Sequence, residues 1–205
     1  MSTLNKEHWY DGWFYEKLIA PNQDRLFAQI IELIEPNSRM VDVGCGTGRF
    51  SFSVVDKCKS ILGIDLSTRN IERATRLLTK KPNNKISFRH TSVRKILETG
   101  NEHFDYAVMT YVIHEVDECE RINLLKDMAQ IADKIIVGDY LFPKPTGLGS
   151  VLNEVVEYVA GKEHYRNYKS YLAGKGIPGL AENAQLKITK EIRDTSHTSH
   201  VIVLE

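Results

Sequence analysis

The chain has 205 residues, 42% hydrophobic and 26% charged, with 27 basic and 27 acidic side chains and a formal net charge of zero. These totals suit one globular domain that can bury about 70% of its unfolded surface. They provide no overall electrostatic footprint for nucleic acid, and no stretch approaches the ~18 consecutive apolar residues of a membrane span.

Met1 to Tyr10 is polar and aromatic and lacks the apolar core of a signal peptide. The cysteines Cys45, Cys58 and Cys119 are odd in number and show no Cys-x-x-Cys spacing. That argues against a disulfide framework and a zinc site, and for reduced thiols in a cytoplasmic protein. Residues 6–20 carry Trp9, Tyr10, Trp13, Phe14 and Tyr15. Trp9 and Trp13 share a face if the segment is helical. It reads as an anchor docked on the core or as a lid over a ligand.

A helix starts near Pro21 and carries Leu26, Phe27, Ile30, Ile31 and Ile34 at helical spacing. A strand at about 39–43 leads into Gly44-Cys45-Gly46-Thr47-Gly48, and a helix is expected from there to about Lys57. A second strand, about 60–65, ends in Asp65. Ser67 is a suitable N-cap for a helix with Ile71, Ala74, Leu77 and Leu78 on its buried stripe. The basic run Lys80, Lys81, Lys85 and Arg89 reads as a solvated face. Strands follow at 86–90, 104–110 and about 134–139, with a helix through Ile122, Leu125 and Ala129 before the last.

Continuous apolar strands alternating with helices predict a parallel sheet covered on both faces, with ligands at the C-terminal edge of the strands. The rhythm then changes. Residues 141–186 hold a stripe of Leu148, Val151, Leu152, Val155, Val156 and Val159, followed by His164, Tyr165, Tyr168 and Tyr171. This is too long for a plain connection and reads as a cap or substrate-shaping insertion. Strands at about 187–194 and 200–204, joined by a tight link, form a hairpin, so one of them runs antiparallel to the rest. The whole chain, 1–205, is expected to be one domain, with 1–20 as a lid and 141–186 as a cap.

The glycine loop selects its ligand. A dinucleotide fingerprint needs a third glycine where Arg49 stands, and no Gly-Lys-Ser/Thr is present to grip a phosphate. Asp42, beside the loop, can accept from an ammonium directly or through water. Asp65, seventeen residues after Gly48, can accept from two vicinal hydroxyls. An amine at one end and a ribose at the other describe S-adenosylmethionine.

The stretches VDVGCGTGRF (41–50), GIDLS (63–67) and FDYAVMTYVIHEV (104–116) resemble the class I S-adenosylmethionine-dependent methyltransferases, the small-molecule methyltransferase-11 type most of all. The resemblance covers about 35–142 and 186–205. It implies a Rossmann-like α/β fold with a seven-stranded sheet, order 3-2-1-4-5-7-6, and an antiparallel last strand. It implies that Asp42, Gly44, Cys45 and Gly46 line the methionine part of the cofactor and that Asp65 holds the ribose. Leu66 would pack on the adenine, with Ser92 and Val93 at its edge. Many relatives have an acid near Ser92, and here the hydroxyl or a backbone amide must serve. Thr110 and Tyr111 would flank the transferable methyl. His114 matches a position commonly held by His.

On this reading S-adenosylmethionine donates a methyl group to a small molecule and leaves as S-adenosylhomocysteine. His114, His8 and His164 are candidate bases, with His114 preferred. Trp9, Trp13, Tyr15, Tyr165 and Tyr168 are candidate substrate contacts. Asp139 lacks the partner acids of a metal site, so no metal is expected. No Asn/Asp-Pro-Pro-aromatic element follows the 104–110 strand and no cysteine follows a proline, so a nucleic-acid acceptor is not expected. The rival readings are aminopropyl-type transfer on the same fold and a non-catalytic S-adenosylmethionine-binding protein acting through a partner. The sequence leaves the oligomeric state open.

Overall fold

A computed structural model describes residues 20–193 and 198–205. The described strands are β1 (Ser38–Val43), β2 (Cys58–Asp65), β3 (Ile86–His90), β4 (Phe104–Thr110), β5 (Ala132–Tyr140), β6 (Ile188–Arg193) and β7 (Ser199–Leu204). They form one sheet in the order β3-β2-β1-β4-β5-β7-β6. β1 to β5 run parallel, and β7 is antiparallel to both β5 and β6. This is the Rossmann-like α/β arrangement that the motifs imply.

The helices are α1 (Ala20–Leu33), α2 (Arg49–Val54), α3 (Thr68–Lys80), α4 (Val93–Thr99), α5 (Glu118–Ile131), α6 (Leu148–Ala160), α7 (Lys162–Ala173) and α8 (Gly176–Ala184). Alternating strand residues feed two cores. On one face Leu26 and Ile30 of α1, Ile34 just after it, and Phe50 and Val54 of α2 cover Met40, Val108, Ile136 and Val201. On the other, Leu125 and Met128 of α5 and Ile177 and Ala181 of α8 cover Val43, Met109, Val137 and Ile202. Each such aliphatic side chain contributes about 1.5–3 kcal/mol on full burial. The parallel crossovers bring the ends of β1, β2, β4 and β5 to one edge.

The structure differs from the sequence reading, or adds to it, at three places. α2 ends at Val54, short of Lys57, because the chain must turn back at once to pair Cys58 with Ser38. Asn37 N–H donates to the Lys57 carbonyl at 2.6 Å and closes that turn. Residues 141–186 hold three helices, and α8 is an additional element packed on α5 and β5. α6 forms where its apolar stripe lies, but that stripe faces outward. Val151, Leu152, Val155, Tyr158 and Val159 are exposed, while Ser150 and Glu157 are buried. The expected lid at 1–20 falls, but for Ala20, outside the described residues, as do positions 194–197 of the hairpin link. Among the described residues no helix is long and apolar enough to cross a membrane.

Candidate active site

The loop after β1 is tied to the end of β2. Gly44 N–H and Cys45 N–H both donate to the Ile64 carbonyl, at 2.8 and 3.0 Å. Gly44 has φ +71, and a Cβ there would lie 2.6 Å from Val112 Cγ2. Glycine therefore lets the loop after β4 pack directly on the end of β1. Gly46 has φ +54, and a Cβ there would meet nothing within 4 Å. Its bare backbone faces open space.

Asp65 organises the rim of that space. Its carboxylate accepts from Gly46 N–H at 2.9 Å, Ser67 N–H at 2.7 Å and the Asn70 side-chain amide at 3.4 Å. Leu66 beside it is 74% exposed. A large apolar side chain standing open next to a fixed carboxylate is what a ligand with a flat ring and two hydroxyls would cover. Ser92 caps α4 by accepting from Lys95 N–H at 3.1 Å, and Val93 is buried behind it. The Ser92 hydroxyl is thus first a helix cap. Cys45 is buried, and burial pushes its thiol pKa up, so it is inert filler beneath the loop.

Asp42 lies under the loop, buried, and accepts from the Ser51 hydroxyl at 2.6 Å. Burial pushes its carboxyl up to about 7, Ser51 opposes this, and the charge of Asp65 adds to it. Arg49, in place of a third glycine, turns away from the loop. Its guanidinium pairs with Asp24 and Gln23 of α1, each at 2.6 Å.

Thr110 ends β4 half-buried, opposite Gly138. Tyr111 follows with φ +54, a conformation that costs a side-chain-bearing residue about 1–3 kcal/mol. It is held there by its N–H to the Gly138 carbonyl at 2.8 Å and by its hydroxyl, 2.6 Å from Ser199 Oγ. Its ring meets Tyr140 edge-on with centroids 5.8 Å apart.

His114 is the centre of a buried ionic cluster. Its Nδ1 lies 2.7 Å from Asp139 Oδ1, and its Nε2 lies 3.5 Å from Glu157 Oε1. Burial alone would keep the ring neutral, but Asp139 and Glu157 outweigh it and raise the His114 pKa well above its ordinary value. Tyr140 donates its hydroxyl to Glu157 at 2.8 Å. With a carboxylate at each nitrogen, His114 is a clamped cation with no nitrogen left to take a proton from a substrate.

The loop bearing His114 is laced to α7. Arg121, buried on α5, donates from Nε to the Val116 carbonyl at 2.9 Å and from Nη2 to the Asn167 carbonyl at 2.7 Å. Asn167 of α7 donates to the Glu115 carbonyl at 2.8 Å. The Glu115 side chain is 46% exposed and lies 3.8 Å from His114 Nε2. Desolvation by the groups packed around it lifts its carboxyl to about 7, with His114 opposing.

Of the expected substrate contacts, Trp9, Trp13 and Tyr15 lie outside the described residues. Tyr168 is 2% exposed and packs against Tyr140 and His114, so it supports the site from behind. Tyr165 of α7 lies edge-on to Tyr158 of α6 and donates to Glu154 at 2.8 Å. Glu115, Arg121, Glu157 and Asn167 were not anticipated. Charged residues in polar helical stretches read as solvated, and the one available signal was a Glu placed directly after His114.

Residues 40–134 match the family described as "Methyltransferase domain". The O-antigen chain terminator bifunctional methyltransferase/kinase WbdD of Escherichia coli is 30% identical over 105 residues, which is 48% of this chain. This chain spans only 14% of that protein's length. Magnesium protoporphyrin IX methyltransferase (ChlM) from Synechocystis PCC 6803, solved with S-adenosylhomocysteine, superposes with a TM-score of 0.67 at 16% identity, covering 95% of this chain and 89% of that one. The N-methyltransferase NodS from Bradyrhizobium japonicum WM9, also solved with S-adenosylhomocysteine, gives 0.63 at 17% identity, covering 95% and 91%. Residues 40–134 thus match a methyltransferase domain, on a fold shared with structures solved with S-adenosylhomocysteine bound.

Proposed function

We propose that this protein transfers the methyl group of S-adenosylmethionine to a small-molecule acceptor at the edge formed by β1, β2 and β4. The observation that carries the reading is the Asp65 carboxylate fixed beside the open backbone of Gly46, with Leu66 exposed next to it. These residues fit the cofactor. Asp65 would accept from the ribose hydroxyls, Leu66 would cover the adenine, and Ser92 and Val93 would border it. Gly44, Cys45 and Gly46 would cradle the methionine part, with the buried Asp42 supplying negative charge beneath its ammonium. Thr110 and Tyr111 would flank the transferring methyl.

When bound, S-adenosylmethionine supplies an already activated methyl group. The protein's own work is then alignment and water exclusion, and positioning of this kind supplies ~7–11 kcal/mol of a barrier. The rigid loop from Tyr111 to Asp117 provides it, held by Arg121, Asn167 and the His114 cluster. His114 acts there by position, through its clamped charge. Of the proteins named above, ChlM acts by its name on a porphyrin, which supports a small acceptor. Residues 1–20 as a lid and 141–186 as a cap over the acceptor complete the reading, with the whole chain as one domain working in the cytoplasm.

The test is incubation with S-adenosylmethionine and a metabolite extract, reading S-adenosylhomocysteine by mass. Its formation above a protein-free control supports the proposal. A second reading keeps cofactor binding without turnover and gives the exposed apolar face of α6 to a partner. Saturable binding with no product formed would favour it.

A further inference from the structure

Resting on the methyl-transfer reading, the geometry points to Glu115 as the catalytic base, seated to bind a basic nitrogen of the acceptor and take its proton. His114, which the motif suggests for that task, has a carboxylate at each ring nitrogen. Glu115 is the neighbouring residue, and its side chain is placed differently. Its backbone is fixed at both groups: its N–H donates to the Val112 carbonyl at 2.9 Å, and its carbonyl accepts from Asn167 at 2.8 Å. Its carboxylate lies 3.8 Å from His114 Nε2 and 3.9 Å from His164 Nδ1, within ion-pair range and beyond hydrogen-bond distance. A rigid backbone thus carries a half-open carboxylate on the loop that packs, through Val112, on Gly44.

The surroundings select the acceptor's charge. Glu115 is faced by His114 on its own loop, His164 of α7, Glu157 of α6, Asp139 of β5 and Asp65 of β2. The charge of His114 is already matched by Asp139 and Glu157. The surplus is negative, so an anionic acceptor is repelled and a protonated amine is drawn in. Burial and the acids at positions 157, 139 and 65 hold the Glu115 carboxyl at about 7, His114 opposing, which suits a base working near neutral pH. The step balances. The amine first passes its extra proton to Glu115, which releases it to solvent past His164. Its nitrogen lone pair then forms the N–C bond as the C–S bond breaks, the sulfur keeps that electron pair, and the remaining N–H proton passes to Glu115. His164, at 3.9 Å and partly exposed, stands on the way out to solvent.

The experiment divides a metabolite extract by ion exchange into cation-retained, unretained and anion-retained pools. Each is incubated with S-adenosylmethionine and either the wild-type chain or Glu115→Gln, and S-adenosylhomocysteine is measured from pH 6 to 8. The proposal expects product from the cation-retained pool, a rate that rises with pH through about 7, and a loss of about 100-fold or more in Glu115→Gln. Calorimetric affinity for S-adenosylhomocysteine should stay within about threefold, which reports an intact fold. Glu115→Asp should keep part of the rate and the pH dependence. Wild-type activity confined to the other pools, or Glu115→Gln with the wild-type rate and pH profile, would overturn the Glu115 proposal and leave methyl transfer standing. No product from any pool, with cofactor bound, would overturn the methyl-transfer reading and this proposal with it.

Discussion

His114 Nδ1 lies 2.7 Å from Asp139 Oδ1, and neither side chain reaches solvent. A buried pair of this kind is costly to break from one side, because the remaining charge is left without its partner. Asp139→Asn should lower unfolding free energy by about 3–5 kcal/mol, read by urea denaturation. The pH dependence has a definite sign. The His114 pKa is raised in the folded state, so its contribution is fully present below about 6.5 and is lost as pH rises through the higher folded value. The stability difference between wild type and His114→Gln should therefore shrink as pH rises above about 6.5. A difference constant across that range would contradict the clamped cation.

Asp42 titrates in the opposite sense to an ordinary salt-bridged acid. Burial holds its carboxyl at about 7, so it costs the fold stability as pH rises from about 4 towards 7. A ligand bringing positive charge above it would favour the ionised form. Binding of S-adenosylmethionine near pH 6.5 should then expel up to about one proton. Calorimetry in two buffers of different ionisation enthalpy measures this directly. The Asp42→Asn variant should release fewer protons. Identical apparent heats in both buffers for the wild type would show that Asp42 does not sense the ligand.

Gly63, in the middle of β2, leaves room for the loop's support. A Cβ there would lie 2.5 Å from Phe88 Cδ1 and 3.0 Å from Cys45 Sγ. Gly63→Ala should cost about 1–3 kcal/mol through overpacking, seen as a lower urea midpoint. Because Cys45 must shift, the affinity for S-adenosylhomocysteine should fall as well. A stable variant with unchanged affinity would show that the strand and loop relax independently.

The sheet was legible because its strands are continuous apolar runs broken by strong turn and cap residues. Gly44 to Gly48 marks the end of β1, Ser67 caps α3, and the closely spaced last strands announce the antiparallel β7. α8 was not legible, since Gly176, Pro178 and Gly179 read as loop. Burial of Ile177, Leu180 and Ala181 against α5 overrides that local preference. α6 misleads for the converse reason: its periodicity is correct, but buried Ser150 and Glu157 put the polar side inward. Asp65 and Leu66 could be read from position along the chain. The roles of Glu115 and Glu157 could not, because each depends on neighbours from distant segments, α7 for one and Tyr140 for the other.

The central claim is that the edge at Gly46 and Asp65 holds S-adenosylmethionine by its ribose. Isothermal titration of S-adenosylhomocysteine into wild type and Asp65→Asn tests it most directly. Asparagine keeps the side-chain shape and removes the charge. The expected result is saturable binding by wild type and an affinity lower by tenfold or more in Asp65→Asn, a loss of about 1.4 kcal/mol or greater. No saturable binding by wild type, or equal affinity in the two proteins, would contradict it.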